Sequence, residues 1–502
     1  MVVGNVSTIT VALGLLLAYP ILKAIYNVYL HPLSKVPGPW IWSASRLPYI
    51  RSLLAGQLIH DIEKLHKRYG SVVRIAPNEV TFANVEAWRK IYQGRPDHQT
   101  YLKDPVWWAP QQDEPTSLFN AIDVDRHARM RKIVAPAFTA RAIKAQETII
   151  QRYVNLLVER LEEQVTKEGE TVVVDVSPWF NFTTFDIFGD LGFGESFNCL
   201  ENSQYHPWIS LLFQYVVGAT YAASARFYPV IEFILMKLMP PSLKKAQKDH
   251  YKQILDKVQR RFNWELQRPD IMSHVIENEQ TGKKGFTLDE INATFHGMTI
   301  AGSETTATTL CGAMTYLVAD ETKLRTLEKE LRDTFGTREQ MYLEALQNLP
   351  YLNAVLREAL RLCPAVPYML PRRIPKGGDT VCGYWLPEGM CVSIQAWTMN
   401  RDSTYFHRAL DFNPERWLPE ASTNEKSPYF HHQRQNIQPF SIGARNCLGQ
   451  NLAWAEMRTI LAKLVYTFDF GATEGMTRWQ DLRTYLLVEK KPIDVKMSLR
   501  VT

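Results

Sequence analysis

The sequence predicts a mainly α-helical chain with small β-sheets, an α+β arrangement, preceded by one N-terminal membrane-spanning helix. Three stretches carry that reading. Residues 9–30 are almost wholly apolar, with Lys23 the only charge. Thr287-Leu288-Asp289-Glu290 is a capping box that opens a helical pattern running to about Ala319. Beyond Cys447, the residues Ala453, Met457, Ile460, Leu461 and Leu464 repeat at helical spacing, so a further helix begins at or just after that cysteine.

Composition narrows the function classes. With 502 residues, 46% apolar and 22% charged, the chain can bury a large core, either as one big domain or as two or three average ones. A net charge of +5 without a Lys/Arg run argues against a nucleic-acid partner. The six cysteines (Cys199, Cys311, Cys363, Cys382, Cys391, Cys447) are too sparse for a disulfide framework and form no C-x-x-C pair. That usage points to a reducing compartment for the bulk of the chain.

Taken in order, residues 9–30 suffice to cross a bilayer, which needs about 20 apolar residues, if Lys23 snorkels to the headgroups. Residues 1–8 carry no side-chain charge, whereas Lys23, His31 and Lys35 follow. The positive-inside bias therefore predicts a lumenal segment at 1–8, an anchor at 9–30, a proline-rich hinge at 31–40 and a cytosolic domain at 41–502. Asn5-Val6-Ser7 is then a lumenal glycosylation sequon, while those at Asn181 and Asn292 are cytosolic and unused. In the hinge, Val36-Pro37-Gly38-Pro39 is stiffened by prolines. A helical pattern over 57–69 and strands at Val72–Ile75 and Glu79–Phe82 follow.

Residues 101–120, with Trp107 and Trp108 among three prolines, read either as an anchored surface loop or as a lid over an apolar pocket. His127 and Arg131 share one helical face, and Arg126, Arg129 and Lys132 form another that is free to meet an acidic partner. Tyr205 to Leu238 is helical and unusually apolar, as buried core or as a membrane-touching pair of helices. Inside the long helix stands Ala301-Gly302-Ser303-Glu304-Thr305-Thr306; small residues there weaken the helix by about 1 kcal/mol per glycine and leave room for a ligand. Glu304 and Thr305 are an acid–alcohol pair able to pass protons. Glu358 and Arg361 share a helix face at i and i+3. Pro364 to Leu370 reads as an apolar, proline-stiffened strand, and Leu482 to Val488 as a last strand pair.

The most informative stretch is Pro439 to Gly449, where Phe440, Gly443, Arg445, Cys447 and Gly449 stand in the spacing F-x-x-G-x-R-x-C-x-G. Gly443 can turn a loop sharply, Gly449 admits close backbone approach, Phe440 can shield a sulfur, and Arg445 can meet a carboxylate. A cysteine at a helix N-terminus is predicted to favour the thiolate, the metal-ligating form.

This loop resembles the haem-binding loop of the cytochrome P-450 family, and the likeness extends from about Pro37 to the C-terminus. The resemblance implies a haem b whose iron takes Cys447 as axial ligand. By the same resemblance His127, Arg131, Arg372 and Arg445, with Arg373 a weaker candidate, meet the haem carboxylates. Ala301-Gly302 and Thr305 match the pattern A-G-x-x-T, which places Ala301 and Gly302 against the haem and gives Glu304 and Thr305 the proton supply. The family's E-x-x-R motif matches Glu358 and Arg361, and Arg416 in Pro414-Glu415-Arg416-Trp417 becomes the third member of a structural triad. The implied function is a monooxygenase inserting one atom of O2 into a C–H bond of a hydrophobic small molecule. Electrons would come from NADPH through a separate NADPH-cytochrome P-450 reductase, with cytochrome b5 as a second possible donor. The implied setting is a monomer anchored once in the endoplasmic reticulum membrane. Phrases such as His-Pro-Leu-Ser-Lys-Val-Pro-Gly-Pro look most like filamentous-fungal members that tailor terpenoids and polyketides. A haem-thiolate isomerase or dehydratase working without a reductase and a non-catalytic haem sensor are the alternatives; the acid–alcohol pair speaks against both.

Overall fold

A computed structural model describes residues 14, 18–96, 98–110, 114–264, 268–280, 285–367 and 370–500. Helices dominate. The longest, Leu288–Ala319, is the central rod, and its capping box is formed as the sequence predicts: the Thr287 hydroxyl accepts from Glu290 N (3.2 Å) while Thr287 N donates to the Glu290 carboxylate (3.0 Å). Glu290 does more than cap. Arg126 and Arg129 both donate to its Oε1, at 2.9 and 2.8 Å, which ties helix Val124–Val134 to the start of the rod. The predicted free basic face is therefore corrected, because two of its three cations are spent inside the fold and Lys132 alone of the three remains exposed without an ion pair among the described residues.

Around the rod pack helix Val176–Phe193, buried on every side, and the helices Glu147–Glu168, Pro350–Leu362 and Gln450–Thr467. Asn181 and Asn292 lie inside this core, so their sequons are out of reach of any glycan transfer. A second core sits beneath a five-stranded sheet ordered Val72–Ala76, Glu79–Phe82, Cys391–Ile394, Arg372–Arg373 and Leu102–Lys103. The first pair is the predicted hairpin, and the second strand meets the third in parallel. A three-stranded sheet (Val172–Asp175, Asp494–Leu499, Phe468–Ala472), the hairpin Asp379–Val381 with Tyr384–Leu386, and the predicted last hairpin, Thr484–Tyr485 with Leu487–Val488, make up the rest of the described β structure.

One expectation needs correction. Pro364 to Leu370 forms no strand among the described residues, because prolines offer no N–H to a ladder; the sheet begins only at Arg372. Tyr368 and Met369 lie outside the described residues. The hinge is docked on the body: Arg74 N donates to Pro37 O (2.7 Å), and a Cβ on Gly38 would come within 2.4 Å of Arg74 O.

At the N-terminus, helical backbone precedes a π-helical turn at Tyr26–Leu30, and Tyr29 and Leu30 stand 73% and 71% exposed. Among the described residues no helix is long and apolar enough to cross a membrane. Asn5 and much of the predicted anchor lie outside the described residues. The apolar region after Tyr205 forms helices Pro207–Arg226 and Pro229–Leu238. The second has no buried residue, and it holds Val230, Phe233, Leu235 and Leu238 toward solvent.

Candidate active site

The cysteine loop is held by backbone constraint. Gly443 has φ +78°, and a Cβ there would lie 2.0 Å from Tyr92 O, so only glycine fits. Cys447 N donates to Phe440 O (2.8 Å), closing the loop, and helix Gln450–Thr467 starts three residues beyond the sulfur. The Phe440 ring stands 6.3 Å from that of Trp454 on this helix. No protein atom lies within 4 Å of where a Cβ of Gly449 would be, so protein packing does not explain that glycine. Cys447 is exposed, yet the protein around the thiol pushes it above the ordinary cysteine value, outweighing the Gly449 amide and the Arg131 charge. A bound cation would draw the thiolate out.

Beside and within this loop is a group of cations among which the described lining places no acid. His127, Arg131, Arg372 and Arg445 line a cavity of about 410 Å³. Arg445 donates to the carbonyls of Ala121 (2.5 Å) and Ile122 (2.9 Å), Arg131 to the carbonyl and side chain of Asn446 (2.8 and 2.6 Å), and Arg372 to Pro371 O (3.1 Å). Among the described residues none of these three arginines forms an ion pair. Burial and mutual repulsion push Arg445 down to about 10 and His127 to about 3; burial lowers Arg372 and Arg131 as well. Arg373, the weaker candidate, is spoken for by Asp104 (2.8 Å).

Lys103 is the member that sequence reasoning missed. It pairs across strands with Arg372, donates to Phe119 O, lies 4.2 Å from the Trp108 ring, and is depressed well below a normal lysine by burial, Arg372 and Arg445. A lysine inside an aromatic loop segment gave no periodic signal; only the strand pairing brings it here. So many buried, unpaired cations are costly alone. Their arrangement fits a bound group bearing carboxylates beside a metal at Cys447, which is what haem offers.

On the central helix the Thr305 hydroxyl donates to Ala301 O (2.7 Å), and Ala301, Gly302 and Thr305 are half-buried in a helix otherwise largely closed. Gly302 stands against helix Val176–Phe193, where a Cβ would come within 3.0 Å of the Phe188 ring, so its smallness also serves helix packing. Glu304 is buried and bonded to Lys490 Nζ (2.7 Å). No hydrogen bond joins it to Thr305 among the described residues, so the acid and the alcohol are neighbours in sequence and not yet partners.

The third group is the triad. Arg361 grips both Glu358 oxygens (2.7 and 2.9 Å) and Arg416 adds a third bond (2.9 Å), all three residues being fully buried. Asn413 N and Trp417 Nε1 also donate to Glu358 (2.8 Å each), while Arg361 reaches the carbonyls of Asn400 and Ala409. The segment leading to the cysteine loop is thereby locked onto helix Pro350–Leu362.

Comparison with known proteins agrees with this geometry. A family model described as Cytochrome P450 matches residues 34–497. The chain is 40% identical to the cytochrome P450 monooxygenase lcsI of Purpureocillium lilacinum, over 98% of this chain and 95% of that protein. It is 38% identical to the trichothecene C-15 hydroxylase of Fusarium sporotrichioides, with 96% of each chain covered. It is 36% identical to the cytochrome P450 monooxygenase astJ of Aspergillus oryzae, over 96% and 95%.

Proposed function

The chain belongs to the cytochrome P450 family and is a monooxygenase; from that premise we propose that it hydroxylates a hydrophobic terpenoid- or polyketide-type metabolite while anchored on the cytosolic face of the endoplasmic reticulum. The observation that carries the haem-dependent part is the uncompensated cation group facing Cys447. The substrate class is supported by relatives from filamentous fungi, one of them named for hydroxylating a trichothecene.

Haem bound to a thiolate supplies activation of O2, with electrons from NADPH through a redox partner. The chain's residues do the rest. Cys447 is the ligand, and Phe440 with Trp454 covers its side of the loop. Arg131, Arg372, Arg445, Lys103 and His127 bind the two carboxylates; His127, neutral when the site is empty, gains its proton more readily once an anion arrives. Thr305 presents a hydroxyl and Glu304 a carboxyl from the central helix, and they hold and move protons. Removing the Thr305 hydroxyl (Thr305→Ala) is expected to divert NADPH electrons to hydrogen peroxide. Tightly coupled turnover in that variant would remove the relay from the account.

Residues 9–30 are the anchor in this reading. The exposed apolar residues of Pro229–Leu238 form a second surface for the bilayer. Asn5 would then be lumenal, so a glycosidase-sensitive mass shift, lost in Asn5→Gln, is the expected sign of that topology. A reductase would dock on the cytosolic body, with cytochrome b5 as a second donor. Metabolite profiling of a strain lacking the gene, followed by NADPH-dependent conversion of the accumulated compound, tests the whole reading. Conversion without NADPH would favour an isomerase instead.

A further inference from the structure

Glu304 is held in an unusual way for a group that must trade protons. One carboxyl oxygen, Oε2, accepts from Lys490 Nζ at 2.7 Å; the other, Oε1, is buried with no hydrogen-bond partner. Both side chains are almost fully enclosed. Lys490 comes from the segment between Leu487–Val488 and Asp494–Leu499, far from the central helix in sequence. Its Nζ also donates to Asn181 Oδ1 (2.8 Å), and Asn181 Nδ2 donates to the Tyr205 hydroxyl (2.9 Å). A polar line thus runs from Glu304 through Lys490 and Asn181 to half-buried Tyr205, just before helix Pro207–Arg226.

Among the described residues no other cation offers Glu304 a counter-charge. Cys311 on the same helix is pushed up to about 12, and burial raises Tyr205 too, so neither titrates near neutrality. Asp175, at the end of Val172–Asp175, is raised by burial and bonded to Ile493 N and Ser177 N.

We propose that Lys490 is the positioning residue for Glu304: it holds the carboxyl turned toward the C-terminal segment, and Asn181 fixes the ammonium that does so. Glu304 takes up a proton at Oε2 only as the ion pair opens, the proton coming from hydronium, so that carboxylate and hydronium become carboxylic acid and water while Lys490 stays an ammonium. The inference rests on Glu304 being the acid of the acid–alcohol pair.

The test is an infrared pH titration of the haem-loaded protein that follows the C=O band of the protonated Glu304 carboxyl, assigned by its absence in Glu304→Gln. Burial drives this carboxyl up and Lys490 holds it down. In Lys490→Met the band is therefore expected to persist to higher pH than in the wild type, and Lys490→Arg is expected to return it. Asn181→Ala, which leaves the ion pair but loosens the ammonium, is expected to move it the same way by less, and it serves if Lys490→Met does not fold. With NADPH and reductase, Lys490→Met is expected to release a larger share of electrons as peroxide, with an altered pH profile. A Glu304 band that titrates alike in the wild type and either variant overturns the proposal while leaving the monooxygenase reading intact. A wild type without the thiolate-haem carbon monoxide band sinks that reading, and the carboxyl titration, which needs no turnover, still decides the role of Lys490.

Discussion

At residue scale, the consequences turn on which buried groups have partners. Glu358 has five donors, so truncating one cation strands charge in a dry interior. Arg361→Ala is expected to cost about 3–5 kcal/mol, read as a fall in the denaturant midpoint and as poor haem retention before any change in chemistry. Glu456 is the opposite case. It lies buried on helix Gln450–Thr467 with neither carboxyl oxygen in a hydrogen bond of good geometry, and burial lifts it from 4.5 to about 8 despite the neighbouring Thr306 hydroxyl. The folded state then holds a proton that the unfolded chain releases, so stability falls as pH rises from 4.5 towards about 8. Glu456→Gln removes that linkage. It is expected to unfold like the wild type in acid and to be more stable by a few kcal/mol at the alkaline end; equal pH dependence in both proteins would contradict the assignment.

At the scale of elements, the parts legible in the sequence were those fixed locally. The central helix announces itself through Thr287 and Glu290, and the cysteine loop through five spaced residues. What failed to show was set by distant contacts. Arg126 and Arg129 look like a solvated face until the rod brings Glu290 to them. Lys103 joins the cation group only because its strand pairs with Arg372, and Lys490 reaches Glu304 across 186 positions of sequence. Pro364 to Leu370 is apolar enough for a strand, yet its prolines withhold the N–H donors that a ladder needs. The loop itself is the sharpest test at this scale. Gly443→Ala must push backbone away from Tyr92 O, so the variant is expected to lose haem binding, which absorbance of the purified protein would register.

On the scale of the whole molecule, one cofactor site gathers elements from every part of the chain: strand Leu102–Lys103, helix Val124–Val134, the central rod and the loop before Gln450–Thr467. Helix Pro229–Leu238, with its exposed apolar face, contributes no residue to the cavity that the cations line. A chain starting at the docked hinge is expected to leave the membrane fraction only in part, because that second apolar surface remains; complete release into the soluble fraction would assign all membrane affinity to residues 9–30. The account as a whole depends on the Cys447 sulfur as a metal ligand. The most direct measurement is the absorbance difference of the reduced protein with and without carbon monoxide. The wild type is expected to give the red-shifted band of thiolate-ligated haem and Cys447→Ala to lose it; the same band in both, or an imidazole-type spectrum in the wild type, would contradict it.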